Sequence, residues 1–280
     1  MTDHRSKLVG LALAFLFAGS SISAQNKSIP EAGFVGTFSS PYSTIIIYGR
    51  GRYREAWGDC TTESYESGTY SYTHGILSLV AKERGVRNRG DKHWQSLFDP
   101  KIYREFNGDD TPRAREREFV LVEWASRLYL MEGDSLTDFV NVINFGIEPR
   151  SSNNCVWPVV GAFHLREGDE KKIVTGNPSL PENPSSMILK KPVEAEIVAI
   201  EGNGEQRIAI LNQGTEAGLR PGMRLLLDGG QPKLWGGMQI ISASDHTARM
   251  SLDETAEVGK KVISKFQQVK LTVTIKKQDN

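Results

Sequence analysis

From Gly33 onward the chain breaks into short runs of β-branched and aromatic residues separated by Gly, Asp, Asn and Ser, and apolar residues almost nowhere recur at helical spacing. Such a chain can build little other than antiparallel sheets joined by tight turns. Residues 43–48 carry Ile45, Ile46 and Ile47 in a row, and Gly49 and Gly51 follow before Tyr53 resumes the pattern. Tyr70 and Tyr72 share a face by the period of two, and a turn at His74 and Gly75 leads into a partner strand over 76–80. Residues 119–124 and 128–131, joined through Ala125 and Ser126, form a second hairpin.

One helix stands out. Asp134 or Ser135 caps it, Leu136, Phe139, Val140 and Ile143 make a stripe, and Gly146 ends it. Its apolar face is expected to close one end of the β unit. A charged excursion over 82–117 interrupts the strands, yet Trp94, Leu97, Phe98, Ile102, Tyr103 and Phe106 within it are too apolar for a bare linker. Strands resume over 159–174. Pro178, Pro181, Pro184 and Pro192 then mark 176–192 as a linker that runs extended over the surface, because proline has no amide hydrogen for a strand ladder. Six candidate strands follow, over 193–200, 206–211, 223–227, 234–241, 247–252 and 269–275. Pro221 and Gly222 fit the middle of a type II turn. The expected fold is mainly β: an antiparallel barrel or meander with one closing helix over 25–175, and a second small barrel over 193–280.

Ahead of these lies a run from Leu8 to Ala18 with Arg5 and Lys7 before it and Ser20, Ser21, Ser23 and Ala24 after it, the layout of a secretory leader over 1–24. At about a dozen residues the run is too short to span a bilayer, so the mature protein is expected to be exported, periplasmic or extracellular, with no integral membrane segment. Lys+Arg and Asp+Glu balance at 34 each, which gives no net field for nucleic acid. Cys60 and Cys155 pair if the fold brings them together in an oxidising compartment; otherwise they are two small hydrophobes or exposed thiols.

Chemistry is faint in this sequence. His74, His93, His164 and His246 have no metal-ligand or HExxH spacing, no G-x-S-x-G elbow occurs, and Asp245 beside His246 reads as a turn. The segment Gly202, Asn203, Gly204 joins two strands and so reads as a hairpin turn. Acidic pairs such as Glu116 with Glu118 lie in the most hydrophilic stretch and read as solvated. No catalytic residue, metal site or cofactor is assigned. The aromatic residues of the first domain are the remaining functional signal, and Tyr48, Trp57, Tyr70, Tyr72 and Trp124 are the candidate ligand-binding set.

Gly36, Thr37, Phe38, then Gly68, Thr69, Tyr70 and the strand pair from Trp124 to Leu130 resemble the lipocalin-like, or calycin-type, barrel of exported bacterial proteins. The run from Gly214 to Met223 resembles the Gly-Leu-x-x-Gly-Met turn of small β-barrel modules in cell-envelope proteins, with a Gly-Lys turn expected near 258–262. The same run also resembles the Ala-Gly-Leu-x-Pro-Gly-Asp segment of PDZ domains, although Met223 replaces the Asp and no groove helix follows. The barrel resemblance implies no known activity; the expected function is that of a non-enzymatic binding or adaptor protein whose partner is an envelope protein or a small apolar ligand. A carrier of a small apolar ligand, a PDZ-like peptide binder, and a hydrolase with a dispersed site are the rivals.

Overall fold

A computed structural model describes residues 31–41, 43–58, 61–107, 116–146, 149, 163–202, 207–227, 238–252 and 257–263. After a short helix α1 (Glu31–Phe34) come β1 (Gly36–Ser39), β2 (Ser43–Tyr48), β3 (Arg52–Gly58), β4 (Thr62–Thr73) and β5 (Ile76–Asn88). Then follow β6 (Gln95–Ser96), α2 (Pro100–Asn107), β7 (Glu116–Trp124), β8 (Arg127–Glu132), α3 (Leu136–Asn144) and β9 (Phe163–Arg166). Every strand pairs antiparallel with its neighbours in a nine-stranded sheet, and the long β4–β5 pairing closes all but β6 into an up-and-down barrel. Alternation does the sorting. Ile45 and Ile47 on β2, Leu77 and Leu79 on β5, Phe119 and Leu121 on β7, and Leu128 and Leu130 on β8 form one packed interior cluster. Phe34 of α1 joins that cluster and meets Tyr70 and Tyr72 edge-on or tilted, which seals one end.

The β4–β5 pairing carries a bulge between Ser67 and Gly68. Gly68 is required there: a Cβ would lie 2.0 Å from the Val80 carbonyl oxygen and 3.0 Å from the Tyr53 ring. The bulge lets charged β5 continue to Asn88, so residues 82–88 of the expected excursion are strand. The rest packs back, with Leu97 buried and its amide donating to the Arg84 carbonyl at 3.1 Å.

The helix α3 does not close an end of the barrel. Leu136, Phe139, Val142 and Ile143 pack on the outer face of β7, β8 and β9, against Val122, Trp124, Tyr129, Met131, Phe163 and Leu165. Its other side carries Val140 into the core of the C-terminal barrel. Thr137, Asp138, Asn141 and Asn144 form its polar side, and the helix is still sandwiched because Asn141 and Asn144 are buried with it. Of the strands expected over 159–174, the described residues hold β9 alone, and Val174 joins the core beside α3.

Segment 176–192 is not the extended surface strap expected from its prolines. It forms α4 (Glu182–Ser186), Ser179 bridges Glu123, and Met187, Ile188 and Leu189 are buried in the second core. Local proline chemistry forbids a ladder but leaves the apolar Met-Ile-Leu run free to find a core. Beyond it, β10 (Glu194–Glu201), β11 (Ile208–Leu211), β12 (Arg224–Leu227), β13 (Met238–Ala243), β14 (Ala248–Ser251) and β15 (Lys261–Ile263) close in the order β10-β11-β14-β13-β12-β15. The expected Gly-Lys turn is present, with Gly259 at φ +83° and the Lys260 amide donating to the Glu257 carbonyl at 3.3 Å, and it leads directly into the closing strand β15; the strand expected over 269–275 lies outside the described residues. The turn at Pro221 and Gly222 is as expected: Gly222 has φ +88° and the Met223 amide donates to the Arg220 carbonyl at 3.1 Å.

Two buried asparagines join the barrels. Asn141 donates to the Gly222 carbonyl at 3.1 Å and accepts from the Arg224 amide at 2.9 Å. Asn144 donates to the Met187 carbonyl and accepts from the Leu189 amide, both at 3.0 Å. No helix of the described residues is long and apolar enough to cross a membrane.

Candidate functional site

The inner face of the first barrel is not uniformly apolar. Glu55 on β3, Glu66 on β4, Arg84 on β5 and Arg117 on β7 all point inward and are buried. Glu66 accepts from Tyr53 Oη, from Arg84 Nε at 2.7 Å and from Arg117 Nη2 at 2.9 Å, and Arg117 also pairs with Glu55 and, at 3.3 Å, with Glu132. The two buried carboxylates, Glu55 and Glu66, balance the two guanidinium groups, and the partly exposed Glu132 joins at the edge. Burial pushes the Glu66 carboxyl up, but Arg117, Tyr53 and Arg84 together outweigh it and hold the group below its ordinary range. Burial, reinforced by Glu66, pushes the Tyr53 phenol well above its ordinary value, so it stays a hydrogen donor. A network this enclosed holds strands together more than it offers a site.

The accessible chemistry lies at the opposite end from Phe34, where β2, β4, β7 and β9 begin and β3 and β5 end. A cavity of about 420 Å³ straddles the rim there. Ser43, Trp57 and Ser64 line it from the inner face, and Thr44, Arg54, Ala56 and Tyr65 from the outer face. Arg87, Arg89, Glu63 and Trp94 complete its charged side. Small Ala56 and Gly58 form a floor; Trp94 stands edge-on to Tyr65 with centroids 4.7 Å apart, and the Arg87 guanidinium stacks on Trp94 at 4.4 Å. Arg87 is held by Glu63 through Nε at 2.9 Å and Nη2 at 2.6 Å. Arg54 lies over Tyr65 at 5.6 Å. Among the described residues, neither Arg54 nor Arg89 has a carboxylate partner, so three cations and one carboxylate face the cavity.

Ser43 is the polar residue of this cavity with the most unusual partner. Its Oγ lies 2.6 Å from His164 Nε2, and His164 Nδ1 lies 3.2 Å from the Leu130 carbonyl oxygen. His164 is buried on the inner face of β9, with its ring edge-on to Phe119.

The five aromatic candidates are not brought to one place. Trp57 lines the rim cavity. Tyr48 is exposed and borders a separate cavity of about 440 Å³ on the outer wall, beside Arg52, Arg54, Gly68 and Lys82. Tyr70 donates to the Tyr48 carbonyl at 3.0 Å and, with Tyr72, packs on Phe34 at the sealed end. Trp124 is buried beside α3 and donates its indole hydrogen to the Gly176 carbonyl at 2.9 Å. Cys60, Cys155 and the 203–204 turn lie outside the described residues. Asp245 and His246 do sit in a bend, where His246 Nδ1 is 3.2 Å from Glu216.

The residues that sequence reasoning passed over are Arg54, Arg87 and Arg89, Tyr65 and Trp94, and the Ser43–His164 pair. A signal for the first group was present: Arg87, Arg89 and Trp94 stand within eight positions, and alternation places Arg54 on the face away from Tyr53. Nothing local marks Ser43 and His164, which are 121 positions apart. Comparison of the chain with family models, curated proteins and solved structures finds no match.

Proposed function

We propose that this is an exported binding protein that holds a small anionic ligand in the rim cavity of its first barrel. The observation that carries the reading is the pair of arginines, Arg54 and Arg89, facing a cavity walled by Tyr65, Trp94 and Trp57, neither with a carboxylate partner among the described residues, where Glu63 is taken up by Arg87. Guanidinium forks suit phosphate, sulfate and carboxylate oxygens, and the aromatic faces suit the flat side of a sugar or ring. An apolar ligand in the lumen is the weaker reading, because Leu77, Leu79, Phe119, Leu121 and their neighbours already pack there as a core. The second barrel, fixed to the first through α3, serves as the docking module of an adaptor. The leader-like N-terminal run supports export.

The test is calorimetric titration with glucose 6-phosphate as probe and glucose as its neutral counterpart. Binding of the phosphate ester that weakens with added salt and falls at least about tenfold in Arg54→Gln/Arg89→Gln supports the reading, since one charge-assisted hydrogen bond is worth about 1.5–3 kcal/mol. Equal affinity for both sugars, or no loss in the double variant, overturns the anionic ligand.

A further inference from the structure

We infer that Ser43 and His164 form a nucleophile–base pair that makes the rim cavity reactive toward carboxylic esters; the inference rests on the reading of that cavity as a ligand site. The hydrogen-bond pattern sets the direction of every proton. The Leu130 carbonyl can only accept, so in the neutral ring Nδ1 carries the hydrogen and Nε2 presents its lone pair. Ser43 Oγ at 2.6 Å therefore donates to Nε2. With that hydrogen committed to the ring, the lone pairs of Oγ are left for the cavity it lines and for Ser40.

Both members are held in place. The Ser40 and Ser43 backbones close a tight turn, with the Ser40 amide donating to the Ser43 carbonyl at 2.8 Å and the Ser43 amide donating to Ser40 Oγ at 3.2 Å. The imidazole is fixed by the Leu130 carbonyl on one edge and packs edge-on to the Phe119 ring, 6.3 Å between centroids. The arrangement supplies a nucleophile, a base within hydrogen-bond reach and a third group that orients the base. A backbone carbonyl stands where a carboxylate stabilises the imidazolium in a full triad, so turnover is slower than a triad's.

The step balances without a cofactor. Ser43 Oγ attacks the ester carbonyl carbon as its proton passes to His164 Nε2. The carbon–oxygen bond to the alcohol then breaks, and Nε2 returns the proton to the departing oxygen. Water, deprotonated by the same nitrogen, hydrolyses the acyl-serine, releasing the carboxylate and restoring the Ser43 hydroxyl. The guanidinium groups lining the cavity favour an acidic substituent on the substrate.

The experiment is reaction of the full chain with diisopropyl fluorophosphate, followed by intact mass and peptide mapping. The expected result is a single adduct on Ser43 in the folded protein, lost when the chain is unfolded in urea, absent in Ser43→Ala, and formed about a hundredfold more slowly in His164→Asn, the lower range of what a positioned base contributes. No selective adduct on Ser43 in the folded wild type overturns the proposal without recourse to any variant. An adduct that forms equally fast in a folded His164→Asn also overturns it, because the hydroxyl is then only exposed. The reagent is neutral, so labelling is independent of the anion site: labelling without glucose 6-phosphate binding removes the ligand class and keeps the pair, and binding without labelling does the reverse.

Discussion

Glu66 and Arg84 form an ion pair inside the first barrel, with side chains 0% and 1% exposed. Glu66 accepts from both Arg84 and Arg117, so its loss removes a carboxylate partner from two buried guanidinium groups in a low-dielectric interior. Glu66→Ala is expected to cost about 3–5 kcal/mol, the usual consequence of removing one partner of a buried pair. Urea denaturation at pH 7 checks this, and a cost below about 1 kcal/mol contradicts it.

The same carboxylate sets the acid limit. Glu66 and Asp169 are both held below their ordinary values: burial pushes each up, but Arg117, Tyr53 and Arg84 win at Glu66, and Lys172, the Leu128 amide and Arg166 win at Asp169. A folded-state pKa below the unfolded one means that the unfolded chain binds more protons, so the contribution is complete above the unfolded value, near 4, and is lost as pH falls through the folded one. Melting temperature is expected to drop below about pH 4, less steeply in Glu66→Gln than in wild type. A variant that loses stability with acid as steeply as wild type speaks against this assignment.

Asp138 has the opposite sign. Burial near the junction of α3 with the second barrel raises its pKa, Arg224 at 3.6 Å lowers it only in part, and Asp134 adds to the rise. Here the folded state binds more protons, so the contribution favours folding at low pH and is lost as pH rises from the unfolded value through the folded one. Asp138→Asn is expected to be more stable than wild type at pH 7, with the difference shrinking towards pH 3. Paired thermal melts at the two pH values decide it; a destabilised variant at pH 7 would show that the Arg224 pair outweighs burial.

Asn144 ties α3 to segment 187–189 by two hydrogen bonds. Asn144→Ala leaves the Met187 carbonyl and the Leu189 amide without that partner, at a cost of about 2 kcal/mol. Because the bonds span the two barrels, scanning calorimetry is expected to split into two transitions in the variant where wild type shows one. A single transition at unchanged temperature would mean that the apolar contacts alone couple them.

What could be read in advance was whatever one stretch of chain decides. The hairpin of β7 and β8, the span of α3 and the Pro221–Gly222 turn follow from periodicity and turn chemistry within a few residues. The place of α3 was not legible: its apolar stripe with Thr137, Asp138, Asn141 and Asn144 opposite suggested a lid with a solvated side, and only the fold buries Asn141 and Asn144 against the second barrel. The interior charges were not legible. Glu55, Glu66, Arg84 and Arg117 each look like solvated surface charges, and only closure of the barrel, which pairs Glu66 with a residue 51 positions away, turns them inward together. Ser43 and His164 are more remote still, and β15 was hidden because a three-residue strand has almost no period to detect.

The most direct measurement is a two-dimensional ¹H–¹⁵N titration of the labelled protein with glucose 6-phosphate. Progressive shifts are expected at Arg54, Ala56, Gly58, Tyr65, Arg89 and the Trp94 indole, with Leu77, Leu79 and Leu121 unmoved. Shifts confined to those interior leucines, or none at the rim up to millimolar probe, would contradict binding in the rim cavity.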